Sequence, residues 1–262
     1  MTKVKYIAWA LFFLLILVCI IVYKINLYYT PAVRQEGMAI SKCQDDTIRI
    51  AYIGDSWAER HKKYYCMIDS IIMKSIKREV KVKIAGISGL TSKNVYYSIF
   101  RNDSIRSVLE WGPDFCFVSA GINDSDRKMG TYYYKENMRL IVELLLDNSI
   151  IPIIMEIPTF DINYSFKRRN RQTKLIYLIS MLLTWSKMNC IQEYRNIYWN
   201  LIQEKNWYDS VMTIRYLDWN PDGYKDKRGL YDEGRMHLND KGYYLLDSCI
   251  SNKIIRHIMS NK

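Results

Sequence analysis

The chain runs to 262 residues with a net charge of +11, and 49% of it is hydrophobic. Its six cysteines lack the spacing of a disulfide framework, and neither paired histidines nor Cys-x-x-Cys occurs, so no disulfide scaffold or bound metal is implied. The G-x-G-x-x-G fingerprint and the Walker phosphate loop are also missing, which leaves no indication of a nucleotide cofactor.

Tyr6 to Tyr23 is a run of uncharged, mostly apolar residues with Lys3 and Lys5 before it and Lys24 after it. As a helix it would be roughly 27 Å long, enough for a hydrocarbon core of about 30 Å once the terminal tyrosines sit at the interfaces. A cleaved signal peptide has a shorter apolar region, about 7–15 residues, and a small-x-small site after it. The only Ala-x-Ala here, Ala8 to Ala10, lies inside the run, and Cys19 has no small residue before it. The expectation is a transmembrane anchor over residues 1–24 with a short cytoplasmic end. A polar tether over 25–46, containing Pro31, would hold a domain of residues 47–262 outside the cytoplasm, in the periplasm or at the cell surface. Nucleic acid is not an expected partner there.

Thr47 to Ile53 has the β-branched alternation of a strand, and Gly54 permits a sharp turn after it. Ala58 to Lys77 reads as a helix, with Met67, Ile68, Ile71, Ile72 and Ile76 at helical spacing. Ser56 would therefore stand where a strand ends and a helix begins, the place where open α/β sheets put reactive groups and where free N–H groups favour an anion. Glu79 to Ala85 reads as a second strand, followed by G-I-S-G-L-T, Gly86 to Thr91. Asp114 to Ala120 reads as a buried third strand that ends in G-I-N-D, Gly121 to Asp124.

Tyr132 to Asp147 is predicted helical and Ser149 to Ile157 a fourth strand. A basic cluster, Lys167 to Arg171, comes next, in a segment that would overhang the site. Its charge suits acidic glycans or anionic headgroups, or simply a solvated helix start. Helices are predicted over Lys174 to Lys187 and Ile191 to Lys205, and a fifth strand over Val211 to Trp219. Last comes G-R-M-H-L-N-D-K-G-Y, Gly234 to Tyr243, before a helix carrying Leu245, Leu246 and Ile250. Strands alternating with helices point to an α/β domain with a parallel sheet of about five strands.

These four motifs, each at a strand-to-helix junction or just before the final helix, resemble in their order the four sequence blocks of the SGNH hydrolases, the GDSL-type esterases and lipases. The resemblance covers roughly residues 47–258. It implies a three-layer, flavodoxin-like α/β/α fold and a serine hydrolase that needs no cofactor. Position by position, it makes Ser56 the nucleophile and His237 the base. The Ser56 and Gly89 backbone N–H groups and the Asn123 side-chain amide would form the oxyanion hole. The chemistry asks for these types: a serine hydroxyl needs a neighbouring base, and a tetrahedral intermediate needs preorganised donors. Of the other histidines, His61 in E-R-H-K-K reads as solvated and His257 lies near a terminus that frays.

The last block departs from the family's D-x-x-H, since Gly234 stands three residues before His237. The nearest acids are Asp232 and Glu233. Asp232 is favoured, as if the loop were lengthened after its glycine, with Glu233 as the alternative and a Ser–His dyad as the third possibility. Trp57, where the family usually has leucine, reads as a packing change. An ordinary histidine base would make the rate rise through about pH 6–7. The expected substrate is an ester, with an O-acetyl group on a cell-envelope or surface polysaccharide as the leading choice. Acetyl transfer to the same glycans, a lysophospholipase or thioesterase, and a non-catalytic carbohydrate-binding descendant are the alternatives. The oligomeric state is open.

Overall fold

A computed structural model describes residues 2–42 and 45–260. Cys43 lies outside the described residues. The chain forms two compact units, Met1–Pro31 and Ala32–Lys262. The first is one helix, α1 (Thr2–Tyr29), whose Leu11–Tyr29 stretch has a mean hydropathy of 2.4 and is long and apolar enough to cross a membrane. The helix runs past residue 24 into the segment expected as tether.

The second unit begins with an irregular stretch that follows the domain surface. Its backbone is tied there: the Ala32 N–H donates to Asn137 Oδ1 at 2.8 Å and the Ile40 N–H to Asn148 Oδ1 at 2.8 Å. β1 (Ile48–Gly54) follows, then α2 (Ser56–His61), α3 (Ile68–Ile76), β2 (Val80–Gly86), α4 (Ser92–Arg101), α5 (Asp103–Glu110) and β3 (Phe115–Ser119). The chain continues through α6 (Ile122–Arg127), α7 (Thr131–Asp147), β4 (Ile151–Met155), α8 (Ile162–Arg168), α9 (Arg171–Thr184), α10 (Ile191–Glu204), β5 (Met212–Ile214), α11 (Tyr216–Trp219) and α12 (Asp240–Ser260).

The five strands form one sheet in the order β2-β1-β3-β4-β5, and every pairing is parallel. This is the expected α/β architecture. All residues of β1 and β3 are buried, as a sheet covered on both faces requires, whereas the edge strand β2 exposes Lys81 and Lys83. Register brings the strand ends level. Gly54 pairs with Gly86 on one side and Ser119 on the other, so the loops after β1, β2 and β3 leave from one edge. Two glycines let the backbones close up at that edge. A Cβ at Gly54 would lie 2.2 Å from the Ser119 carbonyl oxygen, and one at Gly86 would lie 2.4 Å from the Glu59 nitrogen.

Two further elements differ from the sequence reading. The helix expected over Ala58 to Lys77 is two helices. α2 closes with tight bonds from the Lys63 N–H to the Arg60 carbonyl and from the Tyr64 N–H to the His61 carbonyl. The Asp247 carboxylate of α12 then accepts the Met67 N–H at 2.8 Å and supplies α3 with its start. The strand expected over Val211 to Trp219 stops at Ile214, because the Glu156 carboxylate accepts the Tyr216 N–H at 3.0 Å and α11 begins there. In both cases the break is set by a carboxylate remote in sequence.

Candidate active site

Ser56 is the first residue of α2 and is buried. The residue before it, Asp55, caps the helix by accepting the Trp57 N–H at 3.0 Å. The Trp57 indole packs edge-on against Trp219, Tyr231 and Tyr243, as its reading as a packing residue requires. Burial, with Asp124 nearby, raises the Asp55 carboxyl to about 7; burial likewise raises Asp124 to about 6 although Ser92 donates to it.

His237 comes from the loop before α12. An antiparallel bridge joins Tyr231 to Leu238, and the Asp232 N–H donates to the His237 carbonyl at 2.9 Å. The Arg235 N–H closes the turn on the Asp232 carbonyl at 3.0 Å, with Arg235 in the left-handed region at φ 53°. A hairpin of this kind sets Asp232 beside His237 although five positions separate them. His237 Nε2 lies 2.8 Å from Ser56 Oγ, across 181 residues of sequence.

The acid is placed less tightly. Asp232 Oδ2 is 3.9 Å from His237 Nδ1, too far for a hydrogen bond, and instead accepts from Arg60 Nη1 at 2.7 Å. Glu233 is exposed and lines the cavity beside His237, but among the described residues only Asp232 comes within ion-pair reach of the ring. Burial and the Arg60 charge lower the His237 pKa to about 4, with Asp232 opposing them, so the ring is a free base at neutral pH. The pH 6–7 expectation is therefore displaced downward. Arg60 is the residue the sequence reading missed. Its one signal is its place four residues after Ser56, on the same face of α2.

Gly89 lies in the loop after β2 with φ +79°, and its N–H has no acceptor among the described residues. Asn123, in the first turn of α6, turns its amide toward Asp55 Oδ2 at 3.3 Å and the Leu90 carbonyl at 2.9 Å. Ser56, Gly89 and Asn123 thus come from the three level strand ends.

His61 departs from its reading as a solvated residue. It is buried, stacked on Tyr243, and bonded through Nε2 to the Asp247 carboxylate. His257 is half-buried with its ring edge-on to Phe115. The donor atoms of His61, Cys66 and Asp247 lie within 4.8 Å of one another, the one such group among the described residues. Asp247 is already engaged by His61 and the Met67 N–H.

A cavity of about 560 Å³ opens beside His237, lined by Arg60, Asp232, Glu233 and Met236 on one side and by Tyr164, Ser165 and Arg168 of α8 on the other. The α8 wall is pinned: Ser165 Oγ and Arg169 both donate to Asp126 of α6, and Arg235 pairs with Asp161 at 3.2 Å. The basic segment does overhang the site, through Arg168.

Residues 52–245 match the family model of the GDSL-like lipase/acylhydrolase family. No curated protein matches the chain. Among solved structures, an acetyl xylan esterase is similar with a TM-score of 0.55 at 19% identity, over 79% of this chain and 100% of that one. A lipase/acylhydrolase from Enterococcus faecalis gives a TM-score of 0.54 at 18% identity, over 79% and 95%. The esterase EstA from Pseudoalteromonas sp. gives 0.54 at 16% identity, over 82% and 99%. At these identities the likeness speaks to the fold alone.

Proposed function

Because the chain belongs to the GDSL-like lipase/acylhydrolase family, we propose that Ser56 is the nucleophile and His237 the general base of its ester cleavage. The chain is a serine hydrolase of the SGNH type acting on esters. The observation that carries the assignment is the 2.8 Å contact between Ser56 Oγ and His237 Nε2. A neutral imidazole at that distance accepts the hydroxyl proton as Oγ attacks the acyl carbon. The carbonyl C–O π bond becomes an alkoxide, held by the Ser56 and Gly89 N–H groups and by the Asn123 amide. The Asn123 donor that turns to the alkoxide is the one on Asp55 Oδ2, the longer of its two bonds.

The intermediate collapses as the bond to the alcohol breaks, and His237 returns its proton to the leaving oxygen. Water then attacks the acyl-serine, gives a proton to Nε2, and releases the acid while Ser56 regains its hydrogen. Asp232 is the orienting acid, and Arg60 holds it short of contact with the neutral ring. The imidazolium formed during attack attracts Asp232 more strongly than the neutral ring does.

The substrate we favour is a carbohydrate O-acetyl ester on a cell-envelope or surface polysaccharide. Two arginines and two carboxylates line the cavity, with Met236 and Tyr164 as its main apolar surface, which suits a short acyl group on a polar alcohol. A protein of the same fold is an acetyl xylan esterase, so the fold accommodates this class of substrate. The anchor α1, with the domain outside the cytoplasm, would place the enzyme beside such a polymer. The test is release of acetate from O-acetylated polysaccharide set beside a p-nitrophenyl ester series of growing chain length. Acetyl esters should be preferred, and fluorophosphonate labelling should vanish in Ser56→Ala. Preference for long acyl chains would reject the substrate class, and labelling that survives the substitution would reject the nucleophile.

A further inference from the structure

α9 is packed with its apolar side outward. Leu175, Ile176, Leu178, Ile179, Leu182 and Leu183 fall at the i, i+1, i+3, i+4, i+7, i+8 spacing of a core-facing stripe, yet all six are exposed, Leu182 at 72%. The residues that face inward are Tyr177 and Ser180. Trp185, at the C-cap, is 91% exposed and extends the same face. A contiguous patch of this kind on a folded surface marks an interaction site.

Its surroundings name the partner. No Asp or Glu occurs from Ile162 to Gln192, while Lys167, Arg168, Arg171, Lys174 and Lys187 lie in that stretch. An apolar helix face in a segment that carries basic side chains and no acid, with a tryptophan at one end, has the chemistry of a helix lying in the headgroup layer of an anionic bilayer. A protein partner would meet the same apolar face but would not account for thirty-one residues without an acid. α1, long and apolar enough to span, belongs to the same chain and keeps the domain near whatever bilayer it enters.

We infer that α9 is a second, monotopic membrane contact, which rests the domain on an anionic lipid surface through Leu175–Trp185. α9 begins three residues after α8, whose Arg168 lines the catalytic cavity, so the contact and the cavity are carried by neighbouring segments of the chain. The contact is independent of the chemistry at Ser56.

Bromolipid quenching of the full chain in phosphatidylglycerol nanodiscs tests it. The Trp185 share of the emission is isolated as the difference between wild type and Trp185→Phe, a change at an exposed position that leaves packing intact. α1 keeps both proteins in the disc, so only the docking of α9 alters that share. Bromine placed near the glycerol end of the acyl chains should remove most of the Trp185 emission. Leu178→Glu with Leu182→Glu should restore it, and so should discs of phosphatidylcholine alone, at least in part. Trp185 emission indifferent to bromine overturns the inference. If the chain then also sediments as a dimer in detergent and Leu182→Glu makes it monomeric, the face is covered by a second copy.

Discussion

At the scale of single residues, the site turns on how one carboxylate divides between two partners. Burial first and the Arg60 charge second hold the His237 base at a pKa of about 4, and Asp232, 2.7 Å from Arg60 but 3.9 Å from the ring, offsets them only in part, so the ring is unprotonated over the whole neutral range. Turnover should therefore hold level from pH 8 down to about 5 and fall only below that, as His237 takes a proton. A kcat/KM profile on p-nitrophenyl acetate that bends near 6.5 would contradict this. Arg60→Gln removes the charge that lowers the base, so the acid limb should move to higher pH; an unmoved limb would mean Arg60 does not act on the ring. Ser56→Ala should cost on the order of 10⁶ in kcat. Asp232→Ala should cost well under the roughly 10⁴ that loss of a hydrogen-bonded triad acid brings, because here the bond is not made.

At the scale of elements, catalysis depends on how closely α2 lies on the sheet. Gly86→Ala would drive a methyl into the Glu59 and Asp55 backbone, and neither is a flexible tip that can yield. Its cost should be about 1–3 kcal/mol by the usual penalty for overpacking, read as a lowered denaturation midpoint. Turnover should fall as well, because α2 carries Ser56, and full activity in the surviving folded fraction would separate the two roles. The strand–turn–helix units were legible because their signals are local: Gly54 with Ser56, Gly86 with Gly89, and Gly121 with Asn123. The breaks between α2 and α3 and between β5 and α11 were not, because Asp247 and Glu156 reach them from distant sequence. Asp232 and Glu233 could not be separated by spacing, since only the hairpin closed at Arg235 decides which of them faces the ring. α9 was legible as a helix but not as an outward-facing one, because an apolar stripe reads the same whether it meets a core or a membrane.

At the scale of the whole molecule, the sheet edge that assembles the site also buries ionisable groups, and that cost appears as a pH dependence of stability. Asp55 and Asp124 have carboxyls raised to about 7 and about 6 by burial. Between the ordinary carboxylate range and those values the folded chain holds protons that the unfolded chain has released, so stability falls as pH rises through this window. His237 works in the opposite sense. Its pKa is lowered to about 4, so between there and its ordinary value of 6.5 the unfolded chain binds the extra proton and stability rises with pH. Among these three groups the two carboxyls outweigh the one imidazole between pH 4 and 6, and Asp55 alone extends the loss toward 7. Asp55→Asn isolates the larger share. The substitution carries a fixed cost, since an amide nitrogen would face Asn123 where Oδ2 now accepts. That cost does not change with pH, whereas relief from ionising Asp55 does. The stability of the variant relative to wild type should therefore improve by about 2–3 kcal/mol between pH 5 and pH 8, from one pKa unit being worth about 1.4 kcal/mol. Paired urea titrations at the two pH values measure it directly. Parallel curves, with the same offset at both, would mean that Asp55 is already ionised at pH 5 and that the site carries a standing negative charge beside its nucleophile.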